Sequence, residues 1–185
     1  MNLLIENAPD YIVVRGKFLK IDTSFSAWVR FLVAVDGGKD EDIVKAITDI
    51  FGEEIVCENP QEVIAACFGW LFQTNDKSGA KTAEKGGGGS VPFDYAVDGN
   101  VIYCELWEYF PHLMKRGISY HEGTELIKLL MHNDKTMLWH RAYARCGDFS
   151  KLDKEQQKYW QKQRAIWSLN SQSQGDIDAV MASAF

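Results

Sequence analysis

The segment TNDKSGAKTAEKGGGGS at residues 74–90 has no large apolar side chain, and it divides this chain of 185 residues into two parts. An ordered backbone needs buried apolar surface to offset the conformational entropy that it loses, and this segment has none to bury. Its run of glycines gives the backbone further freedom. We therefore predict a flexible Gly-rich linker over residues 76–92. Each part beside it must build its own hydrophobic core.

The glycines do not match a phosphate-binding P-loop. That loop needs Gly, four further residues and then Gly-Lys-Ser/Thr, between a strand and a helix. Here Lys85 precedes the glycines, and Ser90 leads into Val91-Pro92. The sequence therefore predicts a linker at this position and no nucleotide site.

The part before the linker has the pattern of a β-hairpin followed by three short helices. Residues 11–14 and 18–21 are rich in β-branched and aromatic side chains, and they flank Arg15-Gly16-Lys17. Apolar residues then recur at helical spacing in three stretches. The predicted helix starts are Asp22 to Ser24, Asp40 and Asn59-Pro60. We predict one hairpin-plus-helices unit over residues 1–75.

The part after the linker has helical patterns only. Its predicted helix starts are Asp98, Ser119, Thr136 and Asp153. We predict a helical bundle over residues 93–169 and a loose C-terminal tail over residues 170–185. The predicted fold class is therefore mostly α (α+β), with an N-terminal hairpin, three short helices, a Gly-rich linker and a C-terminal helical bundle.

The chain lacks the motifs of common catalytic and metal sites. Its four histidines and four cysteines have no metal-ligand spacing, and no G-x-S-x-G motif is present. Glu105 and Glu108 lie one turn apart, but solvated carboxylates are the favoured interpretation. His121 is interpreted as a surface residue of a first helical turn. We predict no catalytic residue, no cofactor, no metal and no enzymatic activity.

The same composition predicts a protein of the cytoplasm. No apolar run has the length of a membrane-spanning helix, and the first residues lack a basic stretch before an apolar one. Cys57, Cys67, Cys104 and Cys146 are widely spaced, and we expect them to be reduced and buried.

Charge and aromatic residues are unevenly distributed. Residues 1–85 carry nine Lys and Arg against fourteen Asp and Glu, whereas residues 113–167 carry eleven against six. A helical bundle with solvated basic side chains is favoured over a nucleic-acid surface. Tryptophan and arginine dominate the energetics of protein interfaces. The predicted partner-binding residues are Trp139, Arg141, Arg145, Arg164 and Trp167, with the tryptophans mainly in the core and the arginines exposed.

Several stretches form a pattern that runs through both parts of the chain. In the second part these are FDYAVDGNVIY, the helix start ISYH, Arg145 with Asp148, and Ser150-Lys151 before a helix that ends in WSL. In the first part the stretch is IVVRGKFLKIDTSFSAWVRF. Together they resemble a family of tailed-phage proteins named after gene product fifteen, and the stretch in the first part is similar to the opening hairpin and helix of that family. The resemblance covers about residues 3–169. Glu122 and Gly123 depart from it, because bulkier aromatic residues are expected there, and residues 170–185 extend past the usual end.

The resemblance implies a tail assembly chaperone encoded beside the tape-measure gene of a long-tailed phage. Such proteins are thought to bind the tape-measure protein in the host cell cytoplasm and to help recruit tube subunits. The implied partners are the tape-measure protein, the tail-tube protein and further copies of the chain, without a membrane and without nucleic acid. Two alternatives are a structural tail protein retained in the virion and a helical nucleic-acid-binding module.

Overall fold

The computed structural model describes residues 8–52, 60–72 and 91–169. These contain a hairpin of two strands, β1 (Tyr11–Val14) and β2 (Lys17–Lys20). They also contain helices α1 (Phe25–Gly37), α2 (Asp40–Phe51), α3 (Pro60–Leu71), α4 (Tyr95–Tyr109), α5 (Pro111–Arg116), α6 (Tyr120–Met131), α7 (Met137–Cys146) and α8 (Lys154–Trp167). The predicted fold class, mostly α with a small N-terminal hairpin, is confirmed. The predicted linker, apart from Val91 and Pro92, and the predicted tail lie outside the described residues.

The predicted hairpin is present, with a turn of two residues, Arg15 and Gly16, because Lys17 already belongs to β2. Arg15 and Gly16 both adopt the left-handed conformation, with φ of 50° and 76°. A turn with positive φ at both central residues matches the right-handed twist of antiparallel strands. It sets the register in which Val13 is opposite Phe18 and Tyr11 is opposite Lys20. The inner side chains Ile12 and Val14 are buried, so the opposite face of the hairpin points outward.

The core of the first unit is built around two stacked tryptophans. The rings of Trp28 in α1 and Trp70 in α3 lie 4.2 Å apart and are fully buried. Each indole N–H finds a backbone acceptor, Asp22 O for Trp28 and Pro9 O for Trp70, both at 2.7 Å. Phe31 and residues of the hairpin and α2 complete this core. The stack therefore joins α1 to α3, and both of its buried indole N–H groups are hydrogen-bonded.

Two units are present, and their boundary differs from the predicted one. Residues 112–125 group with the residues before the linker, whereas residues 126–169 group with residues 91–111. The reason is a backbone contact between Ser24 and Ser119, in which Phe25 N–H donates to Ile118 O and Tyr120 N–H donates to Thr23 O. The chain thus passes between the two units more than once, and the predicted linker is not their sole connection.

Local helix starts follow the sequence closely in three places. Ser119 and Glu122 form a reciprocal capping box, with Ser119 N–H donating to Glu122 Oε2 and Glu122 N–H donating to Ser119 Oγ. Thr136 caps α7 by accepting from Trp139 N–H, and Asp153 caps α8 by accepting from Gln156 N–H.

Two predicted caps are wrong. Helix α4 begins at Tyr95 with Asp94 as its cap, so Asp98 lies inside the helix and does not start it. Asp40 is the first residue of α2, and Lys39 occupies the cap position. The short helix α5 was not predicted. Asn59, part of the predicted start of α3, lies outside the described residues.

Gly123 provides space for an aromatic ring of the first unit. A Cβ atom at this position would lie 2.2 Å from Cδ2 of Phe25. The Phe25 ring in turn stacks on Tyr120, with ring centroids 6.3 Å apart. The departure from the family pattern at Gly123 therefore coincides with a close helix contact.

We predict that Gly123→Ala lowers the stability of the first unit. The new methyl group must displace the Phe25 ring, and overpacking of this kind costs about 1–3 kcal/mol. Gly69→Ala is the matched control, because its Cβ meets nothing within 4 Å. That control should raise stability by about 0.5–1 kcal/mol, since alanine is the better helix former. Urea denaturation measures both, and a Gly123→Ala protein as stable as the parent would contradict the assigned contact.

Candidate functional site

The predicted partner-binding arginine Arg145 lies inside the second unit. Its side chain in α7 is paired with Asp98 in α4, with Nη1 to Oδ2 at 2.5 Å and Nη2 to Oδ1 at 3.1 Å. Arg145 is 4% exposed and Asp98 is fully buried. The expectation that the arginines are exposed is therefore wrong for Arg145. A buried guanidinium needs a counter-charge, and the Asp98 carboxylate provides one through two hydrogen bonds.

Arg145 also binds the backbone before α4 and at the end of α8. Its Nε donates to Trp167 O at 2.6 Å, and its Nη1 donates to Pro92 O at 3.1 Å. Pro92 precedes α4, and Trp167 is the last residue of α8. One guanidinium therefore holds the residue before the start of α4 and the end of α8 to α7.

The other two predicted arginines are also engaged internally. Arg141 Nη1 lies 2.7 Å from Asp98 Oδ1, and its guanidinium stacks over the Trp167 ring at 4.2 Å. Arg164 donates from Nε to Ala144 O and from Nη2 to Gly147 O, at 2.7 and 2.6 Å. These carbonyls lie at the C-terminal end of α7, where a cation is favoured. Although Arg164 is exposed, its hydrogen bonds hold α8 to the end of α7.

Trp139 belongs to an aromatic cluster on α7 and α8. Its ring stacks on Tyr143 at 4.9 Å, and both rings meet Trp160 edge-on. Trp139 and Trp167 are half-buried. The five predicted residues thus lie in two networks that pack α7 against α8, and Arg145 has no free donor edge to offer a partner.

The charge environment explains how Asp98 stays ionised. Burial by itself raises the pKa of Asp98, but the hydrogen bonds from Arg145, Asp94 N–H and Arg141 more than offset it and hold the pKa below its ordinary value.

For Glu105 burial has the larger effect and raises the pKa, although Met137 N–H and Leu138 N–H both donate to its carboxylate. Glu105 thus binds the start of α7, and it is buried, not solvated as expected.

His121 and two cysteines also differ from expectation. His121 is 3% exposed, not on the surface; its ring lies 4.6 Å from that of Trp70, and its Nε2 has no partner among the described residues. Cys67 is buried, and burial raises the pKa of its thiol to about 12. Cys104 and Cys146 are exposed. Within the described ranges no group of three or more His, Cys, Asp or Glu side chains is placed to hold a metal ion.

A surface that the sequence analysis did not single out lies on α4. Ala96, Asn100, Tyr103 and Trp107 follow one another at helical spacing and are all exposed; we call them the α4 face. Tyr103 is 58% exposed and meets Trp107 edge-on with ring centroids 6.4 Å apart. Because Asp98 and Glu105 are buried, Glu108 is the sole exposed charge on this helix. The sequence alone could have indicated this face, because Tyr103 and Trp107 are four residues apart and neither shares the predicted buried positions of Ile102 and Leu106.

A shallow groove lies between α1 and α2 in the first unit. It encloses about 430 Å³ and is lined by Val29, Val33 and Ala46, with charged side chains at its rim. Arg30 and Asp49 on opposite sides approach to 3.4 Å. This exposed ion pair partly closes the groove, so the α4 face is the more open apolar surface.

Comparisons of the chain with protein-family models, with curated proteins and with solved structures give no match. None of the helices in the described ranges has the length and apolar character of a membrane span. The resemblance to the phage tail family stays a prediction from the sequence.

We predict that Asp98→Asn strongly destabilises the second unit. The change leaves Arg145 buried and both arginines without a counter-charge, and breaking a buried pair in this way costs about 3–5 kcal/mol. Asp134→Asn removes an exposed carboxylate of the same unit and should change stability by less than about 0.5 kcal/mol. Chemical denaturation compares the two. Equal stability of the two variants would show that the buried pair does not hold the unit together.

We predict that the first unit loses stability as the pH falls through about 6.5. Burial lowers the pKa of His121, against a smaller opposing effect of Glu125. Below the unfolded pKa the unfolded chain therefore binds more protons than the folded unit, and stability falls until the folded pKa is passed. His121→Phe should remove this dependence, whereas His132→Gln, at an exposed site, should retain it. Thermal melting between pH 5 and pH 8 tests this, and an unchanged pH profile of His121→Phe would contradict it.

Proposed function

We propose that this protein is a non-enzymatic tail assembly chaperone of a long-tailed phage. In the host cell cytoplasm it binds the tape-measure protein and helps tail-tube assembly. The tail-tube protein and further copies of the chain are proposed as additional partners. The sequence resemblance supports the phage context, and the α4 face supports the binding of another protein.

The α4 face is the observation that carries the proposal. An exposed helix face with a tyrosine, a tryptophan and no charge among its four members is unusual on a solvated surface, because water favours charged residues there. Tyr and Trp bury a large area at low entropic cost, which makes them frequent interface anchors. The face is suited to the apolar side of a partner helix.

The internal contacts of α4 support this role. Ile102 and Leu106 are buried, while Asp98 and Glu105, on the side of the helix opposite the α4 face, bind α7. The helix is therefore fixed before a partner arrives, and a fixed surface loses less entropy on binding. Tape-measure proteins are long, largely helical and prone to self-association, so covering an apolar helix stripe is what a chaperone for them must do.

The nucleic-acid alternative is less well supported. It was motivated by the excess of basic residues in residues 113–167, eleven Lys and Arg against six Asp and Glu. Arg141, Arg145 and Arg164 are instead bound to Asp98 and to backbone carbonyls. We therefore favour the binding of another protein over the binding of nucleic acid.

Co-expression with the tape-measure protein of the same phage tests the proposal. We predict that the parent chain raises the soluble fraction of the tape measure and co-purifies with it, whereas Tyr103→Ala/Trp107→Ala reduces the recovered complex at least tenfold. Leu129→Ala is the control, because Leu129 is exposed in the same unit but on α6. Thermal melting should show all three proteins folded. No complex with the parent chain would refute the chaperone proposal.

Mass spectrometry of purified virions separates the chaperone from a structural tail protein. A chaperone leaves during maturation and should be missing from particles that contain the tape measure. Its presence at stoichiometric amounts would favour the structural alternative.

A further inference from the structure

The outer face of the hairpin carries an exposed apolar cluster in the first unit. Tyr11, Val13 and Phe18 point away from the core, and we call them the hairpin face. Phe18 is 72% exposed, the most exposed large apolar residue among those described. Val13 is directly opposite it in the register, and the Tyr11 ring meets it edge-on at 5.2 Å. Cross-strand neighbours of this kind form one continuous surface.

The hairpin is held firmly to the unit behind this face. Ile12 and Val14 are buried in the core. At the turn, Arg15 binds Glu62 of α3 through two hydrogen bonds, Nε to Oε2 at 2.6 Å and Nη2 to Oε1 at 3.1 Å. The cluster is thus presented on a fixed support, which favours binding over collapse of the side chains onto their own unit.

The charge beside the hairpin face is positive. Residues 11–20 contain Arg15, Lys17 and Lys20 and no acidic residue, although residues 1–85 as a whole are acidic. Glu62 binds Arg15, whereas Lys20 is exposed and forms no ion pair with any described residue. Lys20 is directly opposite Tyr11 and therefore lies on the hairpin face, whereas Lys17 is opposite the buried Val14 and lies on the other side. A partner that covers the apolar cluster therefore brings its flanking residues close to Lys20.

We propose that the hairpin face binds an amphipathic helix whose apolar side is flanked by Asp and Glu. The helix belongs to the tape-measure protein, so the inference rests on the proposed function and adds the chemistry of the bound segment. Its apolar side covers Tyr11, Val13 and Phe18, and a carboxylate at its edge meets Lys20. This surface lies in the first unit and is separate in sequence from the α4 face.

Other occupants fit the observations less well. Lysines along β2 disfavour the addition of a further strand at its edge. A second copy that binds through the same face in two-fold symmetry places lysines close to lysines. An anionic bilayer is repelled by the acidic remainder of the first unit. A helix with an acidic flank fits both the apolar cluster and Lys20.

Two designed peptides test the proposal directly. Both have the same Leu/Ala apolar side, flanked by Glu in one peptide and by Lys in the other. Isothermal titration calorimetry with the full chain should show binding of the Glu peptide and at least tenfold weaker binding of the Lys peptide. The preference should weaken as salt concentration rises.

Variants assign the binding to the hairpin face. Val13→Thr/Phe18→Thr should weaken Glu-peptide binding at least tenfold, whereas Val44→Thr, an exposed valine of α2, should change it less than twofold. Lys20→Glu should reverse the preference between the peptides. Lys45→Glu makes the same change of charge beside the α1–α2 groove and should leave the preference intact.

Three results would overturn the inference: no binding of the Glu peptide, equal binding by the hairpin variants, or no preference between the peptides. Binding to phosphatidylglycerol vesicles that is lost in Val13→Thr/Phe18→Thr would assign the face to a bilayer instead. Co-expression separates the two proposals. If the parent chain and Val13→Thr/Phe18→Thr bind the tape measure equally, the inference fails and the chaperone function stands. If the parent chain binds the Glu peptide but no tape measure, the chaperone function fails.

Discussion

The second unit depends on one buried ion pair, that between Asp98 and Arg145. Removing two charges from water is unfavourable, so the pair is tolerated because its geometry is bidentate and because Arg145 uses its remaining donors on Pro92 O and Trp167 O. These contacts join α4 to α7 and to the end of α8. With Asp98 turned inward, Tyr103 and Trp107 on the opposite side of α4 remain in solvent. An internal charge pair thereby determines which aromatic residues can meet a partner.

Much of the local structure was predictable, because it is decided by residues a few positions apart. The hairpin turn follows from Arg15-Gly16-Lys17 between two β-rich runs. The capping box of Ser119 and Glu122 and the caps Thr136 and Asp153 each satisfy backbone N–H groups within the first turn of their own helix. Such hydrogen bonds need no knowledge of the tertiary fold, and the fold class follows from their order along the chain.

The candidate site was less predictable, because it depends on contacts between distant residues. Asp98 was predicted to cap α4, but its carboxylate is paired with Arg145 inside the unit, and Asp94 caps the helix. His121 was predicted to lie on the surface, but its ring packs against that of Trp70. Residues 112–125 join the first unit through the contact of Ser119 with Ser24, for which the sequence gives no pattern. In each case a long-range partner overrides a local preference.

The two proposed surfaces differ in chemistry, and this difference bears on how a chaperone can both hold and release a long partner. The α4 face is uncharged and aromatic, whereas the hairpin face is apolar with the exposed Lys20 opposite Tyr11. Each is small, so each contact alone is weak. Two weak contacts on one chain bind a long partner more tightly than either does, because the second binding event becomes intramolecular. For the proposed chaperone, the same arrangement offers a route to stepwise release: a competitor that displaces one contact also removes the cooperative gain from the other. A single large apolar interface of equal total affinity would lack such a route to release.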